Sequence, residues 1–154
     1  MDATSTWLIA IAVLVLYAHL AEYSIHRWIM HRPLGGWLRR EYFEHAIEHH
    51  GRGRNDINIS ANPLVLFAVC SPLLVACPWL GWPWVAVVAA VTTVYAGVWT
   101  GMHSAHHDVG YRWFSMLPGF EMWRAHHLAH HRQPNRNFGT VFIWTDWLFG
   151  TKHR

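Results

Sequence analysis

Fourteen of the 154 residues are histidine, and most fall into four short groups. "HRWIMH" carries His26 and His31, and "HAIEHH" carries His45, His49 and His50. "HSAHH" carries His103, His106 and His107, and "HHLAHH" carries His126, His127, His130 and His131. Imidazole is a ligand for zinc, copper, iron and nickel. On a helix, residues three or four apart share a face. His45 with His49, and His103 with His107, are therefore expected to point one way, while His127, His130 and His131 cover an arc of about 100°. His26 and His31, five apart, lie about 140° from each other on an α-helix, so either they serve different metals or the helix distorts there. About eight to ten imidazoles are too many for one first-row ion and suit two. A carboxylate-rich site does not fit: Glu22 and Glu41 each precede a histidine by four positions, whereas a ferritin-like site uses Glu-x-x-His. The zinc-protease pattern His-Glu-x-x-His is absent as well.

The elements that must position these groups are apolar. The chain is 53% hydrophobic with 11 Trp and only 14% charged, well below the roughly 25% of a soluble domain. Three apolar segments stand out: Trp7 to Ala21, with a helix continuing into "YSIHRWIMH", then Pro63 to Leu80, then Trp82 to Thr100. A span needs about 20 residues, which the first segment reaches through its extension. "CPWLGWPW" supplies Pro, Gly and Trp for a turn at a membrane interface. The sequence predicts an all-α integral membrane bundle, a single domain over residues 1–154. It has about three transmembrane helices, or two with a shallow third, and a cytoplasmic histidine-rich helical cap.

Charge gives the orientation. All 12 Lys and Arg lie between Arg27 and Arg54 or between Arg112 and Arg154, and no charged residue lies between Asp56 and Asp108. That is a positive-inside pattern. It puts the N-terminus outside and the histidine groups on the cytoplasmic side, in a bacterial inner membrane or its equivalent. The same map speaks against nucleic acid, since the net charge of +3 forms no basic groove or RNA module. A signal peptide would need a basic n-region and a cleavage site that the first segment lacks. Cys70 and Cys77 lie seven apart in one apolar run, two turns along a helix, so no disulfide is expected between them.

With four histidine groups in this order around an apolar hairpin, the chain resembles the fatty acid hydroxylase/sterol desaturase superfamily. The ending "NFGTVFIWTDWLFGT" is similar to that family's C-terminal signature, and the likeness covers roughly residues 20 to 151. The resemblance implies a membrane-embedded non-haem di-iron oxygenase that takes O2 and electrons and attacks an unactivated C–H bond of a lipid. Carried over group by group, it gives ten ligands for two iron ions: His26, His31, His45, His49, His50, His103, His107, His127, His130 and His131. Zinc would be accepted by the same imidazoles in purified protein. The three residues between His45 and His49 depart from the family's frequent His-x-x-His-His spacing. No catalytic residue is expected beyond the ligands. His106, His126, Glu22, Glu48 and Asp108 are candidates for orienting them from behind.

The resemblance further implies a membrane lipid substrate of fatty acid, sphingolipid or sterol type. A carotenoid ring hydroxylase and a lipid desaturase are the alternatives within the superfamily. Electrons must come from a separate ferredoxin- or cytochrome-type donor, because the chain has no haem-domain, flavin or dinucleotide motif and no four-cysteine cluster. "YRWFSMLPGFEMW" (111–123) reads as an interfacial segment that lines substrate entry or simply contacts the membrane. "TVFIWTDWLF" either covers the metals or anchors the tail. A non-catalytic membrane metal-binding or transport protein is the reading from another class. It predicts ionisable residues along the spans, where only His19 and Glu22 occur.

Overall fold

The computed structural model describes residues 2–55, 69–76 and 81–153. Among these every regular element is helical, and there is no strand. Helix α1 (Ala3–Ile25) leads directly into a π-helical turn, His26–Met30. Helix α2 (Arg39–Tyr42) leads into a second π-helix, Phe43–Gly51. A 3-10 turn (Ser71–Ala76) precedes α3 (Trp82–His106), and a 3-10 turn (Arg112–Met116) precedes α4 (Phe120–Arg132). The short α5 (Trp144–Leu148) lies near the end.

Among the described residues, two stretches are long and apolar enough to cross a membrane, Thr4–Met30 and Trp82–His106. Only 22% of each apolar window is covered by the protein itself. A core helix of a soluble domain would be mostly buried, so these surfaces call for lipid. Most of the expected middle segment, 63–80, and Cys77 lie outside the described residues.

The chain divides into two compact units. In the first (1–21 and 60–97), Leu14 of α1 packs with Trp84 and Val88 of α3. Trp84 donates its indole N–H to the Leu73 carbonyl at 2.7 Å, so its one polar atom is satisfied. His19 is buried and meets the Tyr95 hydroxyl at 3.0 Å, the partnering of a core histidine.

In the second unit (22–59 and 98–154), the apolar core is Met102, Ala105, Phe114 and Phe120, with Val98 and Trp123 against it. Gly101 makes this possible. A Cβ there would lie 2.1 Å from the Phe114 ring, so only glycine lets that ring seat against α3. The neighbouring side chains of 111–123 face outward: Tyr111, Trp113, Met116, Leu117 and Met122 are exposed.

Candidate metal centre

The second unit gathers ten imidazoles into two groups of five. His26, His31, His45, His50 and His130 form one, and His49, His103, His107, His127 and His131 form the other. Within each group the candidate ligand nitrogens all lie within 4.8 Å of one another. The groups abut, with the His50 and His131 rings stacked at 4.0 Å. These ten are the residues carried over in the sequence reading.

The π-helices explain the sorting. Their i→i+5 hydrogen bonds bring residues five apart onto one face, where an α-helix would splay them. His26 and His31 thereby join the same group. In the second π-helix His45 pairs with His50, Nε2 to Nε2 at 3.2 Å, and His49 turns to the other group. The expected pairing of His45 with His49 assumed α-helical periodicity, which this segment does not have. At the end of α3, which His107 directly follows, and in α4 the spacing of three and four is ordinary. His103 and His107 share a group, as do His127 and His131, while His130 faces the other.

Three rings are oriented by backbone carbonyls. His26 Nδ1 donates to Phe138 O at 2.5 Å, His130 Nδ1 to Arg136 O at 2.6 Å, and His49 Nδ1 to Arg54 O at 3.0 Å. A carbonyl only accepts, so the proton sits on Nδ1 and Nε2 carries the lone pair. The lone pairs then converge. In the first group Nε2 atoms meet at 2.9 Å (His26–His45), 3.0 Å (His31–His130) and 3.1 Å (His45–His31). A single proton on His45 cannot satisfy three facing nitrogens. In the second group His127 Nε2 lies 2.8 Å from His107 and 3.1 Å from His131, while Nε2 of His49 and of His103 is buried without a hydrogen-bond partner. A surplus of acceptors pointing at common centres is what a cation satisfies, and all-imidazole donors suit zinc, copper, iron or nickel.

Electrostatics agrees. Burial, joined by neighbouring imidazoles, holds His45, His127 and His130 well below the usual imidazole value and His31 at about 2. His107 is lowered to about 4 and His131 to about 3 for the same reasons. Neutral rings are the ligand form.

The candidates behind the ligands have separate places. His126 points to Asp146, Nε2 to Oδ2 at 3.0 Å. Glu22 accepts the Thr140 N–H at 2.9 Å. Glu48 pairs with Arg52 and Arg54, and the Arg54 carbonyl orients His49. Asp108 pairs with Arg124, which also bonds the His106 carbonyl. His106 is fully buried, its ring packed against Phe120 and His127.

Sequence reasoning passed over Asp146 and Phe138. Asp146 is fully buried and accepts from the backbone N–H groups of Phe138 and Gly139, from Thr151 Oγ1 and from His126. Burial alone would raise its carboxyl. The hydrogen bonds from His126, Thr151, Gly139 and Phe138 outweigh that and hold it below its usual value. The Phe138 ring packs against His26, His31 and His130 and covers the first group. The available signal is the "NFG…TDWLFGT" ending, which carries the family resemblance but does not by itself assign a role to Asp146 or Phe138.

Helical elements, two membrane-length apolar helices among the described residues and paired histidine clusters together define a class of membrane hydroxylases. The chain belongs to the fatty acid hydroxylase family, whose model matches residues 11–151, within the fatty acid hydroxylase/sterol desaturase superfamily, and it is an oxidoreductase of the hydroxylase type. Among curated proteins it is similar to the beta-carotene hydroxylase of Paracoccus sp. strain N81106 / MBIC 01143. The two are 31% identical over 147 residues, covering 90% of this chain and 84% of the relative. It is equally similar to the beta-carotene hydroxylase of Paracoccus sp. strain PC1, at 31% over 146 residues, 89% and 84% respectively. No solved structure matches.

Proposed function

We propose that the chain is a di-iron, O2-dependent hydroxylase of an apolar membrane substrate, with a carotenoid ring as the first substrate to test and a fatty acyl or sterol-type lipid as the second. The observation that carries the reading is the pair of five-imidazole groups with converging Nε2 lone pairs. The carotenoid preference comes from the two relatives, which align along most of both chains.

The residues that would hold the metals are His26, His31, His45, His50 and His130 for one and His49, His103, His107, His127 and His131 for the other. Bound there, iron supplies the reductive activation of O2 that an unactivated C–H bond requires. The chain's own part is positioning and exclusion. The Phe138, Arg136 and Arg54 carbonyls fix the ring orientation of His26, His130 and His49. Phe138 covers one side of the first group. Trp113, Met116 and Met122 offer an apolar surface to lipid, suited to an entry from the membrane.

The donor is a separate acidic ferredoxin- or cytochrome-type protein. A cleft of about 790 Å³ lined by Arg27, Arg32 and Arg132, with His31 and Phe138 in its wall, supports this partner. The metal site lies on the cytoplasmic side with the N-terminus outside, a reading supported by the placement of Lys and Arg.

The test is expression in cells that accumulate β-carotene, with iron and a ferredoxin system. The expected product is substrate heavier by one oxygen atom per hydroxylated ring. Iron-loaded protein that oxidises neither carotenoid nor any extracted lipid defeats the proposal.

A further inference from the structure

The buried carboxylate of Asp146 touches no imidazole of either five-membered group, yet it is tied to one of them through a single peptide. The Gly139 N–H donates to Asp146 Oδ2 at 2.8 Å. That N–H and the Phe138 carbonyl are the two ends of the same amide. The Phe138 carbonyl accepts the His26 Nδ1–H at 2.5 Å. Carboxylate, peptide and imidazole thus form one hydrogen-bonded chain that ends at His26 Nε2, in the first group.

Hydrogen bonds in series polarise one another. A negative charge on the N–H end of an amide draws electron density toward its oxygen and makes the carbonyl a better acceptor. A better acceptor pulls on the Nδ1 proton and raises the basicity of Nε2, as a carboxylate bonded directly to a ligand histidine does. We propose that Asp146 is a positioning residue that strengthens His26 as a metal ligand by acting through the Phe138–Gly139 peptide. The proposal rests on the reading of the first group as a metal site.

The surroundings preserve this chain. Glycine is required at 139, since a Cβ would lie 2.5 Å from the Phe142 carbonyl and 3.0 Å from Asp146 Oδ2. The Phe138 N–H and Thr151 Oγ1 bond Asp146 Oδ1 at 2.8 and 2.7 Å, and His126 Nε2 bonds Oδ2. Asp146 is therefore a fully partnered carboxylate at a fixed orientation. His130 provides an internal comparison in the same group. Its carbonyl partner, Arg136 O, belongs to the amide of Asn137, whose N–H donates to the neutral Thr151 carbonyl at 3.0 Å.

The test uses the full chain in detergent with zinc, which is redox-silent, and 15N-labelled histidine. In wild-type protein the His26 Nδ1–H resonance is expected downfield of that of His130. In Asp146→Asn the His26 resonance moves upfield while that of His130 stays, and one of two zinc affinities falls about tenfold. Thr151→Val, which removes a hydrogen bond but leaves the charge, moves neither resonance. Should Asp146→Asn not fold, the wild-type order of the two resonances still decides. Two bound zinc ions with His26 not downfield of His130, or unmoved in Asp146→Asn, overturn the relay alone. Wild-type protein that binds no stoichiometric zinc overturns the metal reading beneath it.

Discussion

Replacing Gly139 by alanine adds one methyl group at the tightest point of the C-terminal segment. Its Cβ would meet Phe142 O at 2.5 Å, Asp146 Oδ2 at 3.0 Å and Thr145 Oγ1 at 3.1 Å, where ordinary contact begins at 3.4 Å. The nearest atom is backbone, so no rotamer change relieves it. Overpacking of this kind costs about 1–3 kcal/mol. Moving residue 139 also strains its N–H bond to the buried carboxylate, and a hydrogen bond to a charged group contributes about 1.5–3 kcal/mol. The smaller conformational entropy of unfolded alanine returns about 0.4–1 kcal/mol. The expected net loss is about 2–5 kcal/mol, or a Tm drop on the order of 10 °C. Gly35→Ala is the control. Its backbone is extended, at φ −85°, and nothing lies within 4 Å of the new methyl, so its Tm should stay level or rise slightly. Thermal unfolding of both variants in the same detergent reads the difference. A Gly139→Ala protein as stable as Gly35→Ala would refute the packing argument.

Other outcomes follow from the same geometry. His130→Ala should lose metal, because its lone pair is buried in the first group, whereas exposed His153→Ala should not; equal metal content in both would show the site misassigned. Apo protein should lose stability as pH falls below about 6.5 toward 4. There the unfolded chain takes up protons that His107 and His131, lowered to about 4 and about 3, refuse in the fold. Denaturation curves that coincide at pH 7.5 and pH 5 would contradict this. Arg32→Glu with Arg132→Glu should slow reduction by an acidic ferredoxin severalfold and leave reduction by dithionite unchanged. An equal rate with the ferredoxin would remove that cleft as the docking face.

That ten histidines would gather was legible, because four dense groups of imidazole stand out in any sequence whatever the exact helix geometry. Which histidine joins which group was not. The assignment of His49 depended on a π-helix, and no local propensity marks one in "YFEHAIEHHG". The two apolar helices were legible from composition, since lipid imposes a length and a hydropathy. The supports behind the clustered histidines were hidden for another reason. The Phe138, Arg136 and Arg54 carbonyls that orient three rings are backbone groups, present at every position and therefore silent in a sequence. Asp146 is one carboxylate among nine acidic residues, and only tertiary structure shows that four donors surround it.

The two π-helices also set how this protein tolerates changes in chain length. An α-helix that loses a residue in mid-course rotates everything beyond the deletion, but a π-turn already carries one residue more than the α-helical repeat. Removing Ile47 from the Phe43–Gly51 segment would let it relax into the commoner helix and become locally more regular. His45 would then stand four residues from the present His50 instead of five, keeping that pair together, while the present His49 would lose its turn toward the second group. The deletion would therefore strip one five-imidazole group of a member and leave the other with its full set. Length variation in this family is expected to collect in the connection 32–38 and to avoid the two π-turns, which hold the register between the two five-imidazole groups.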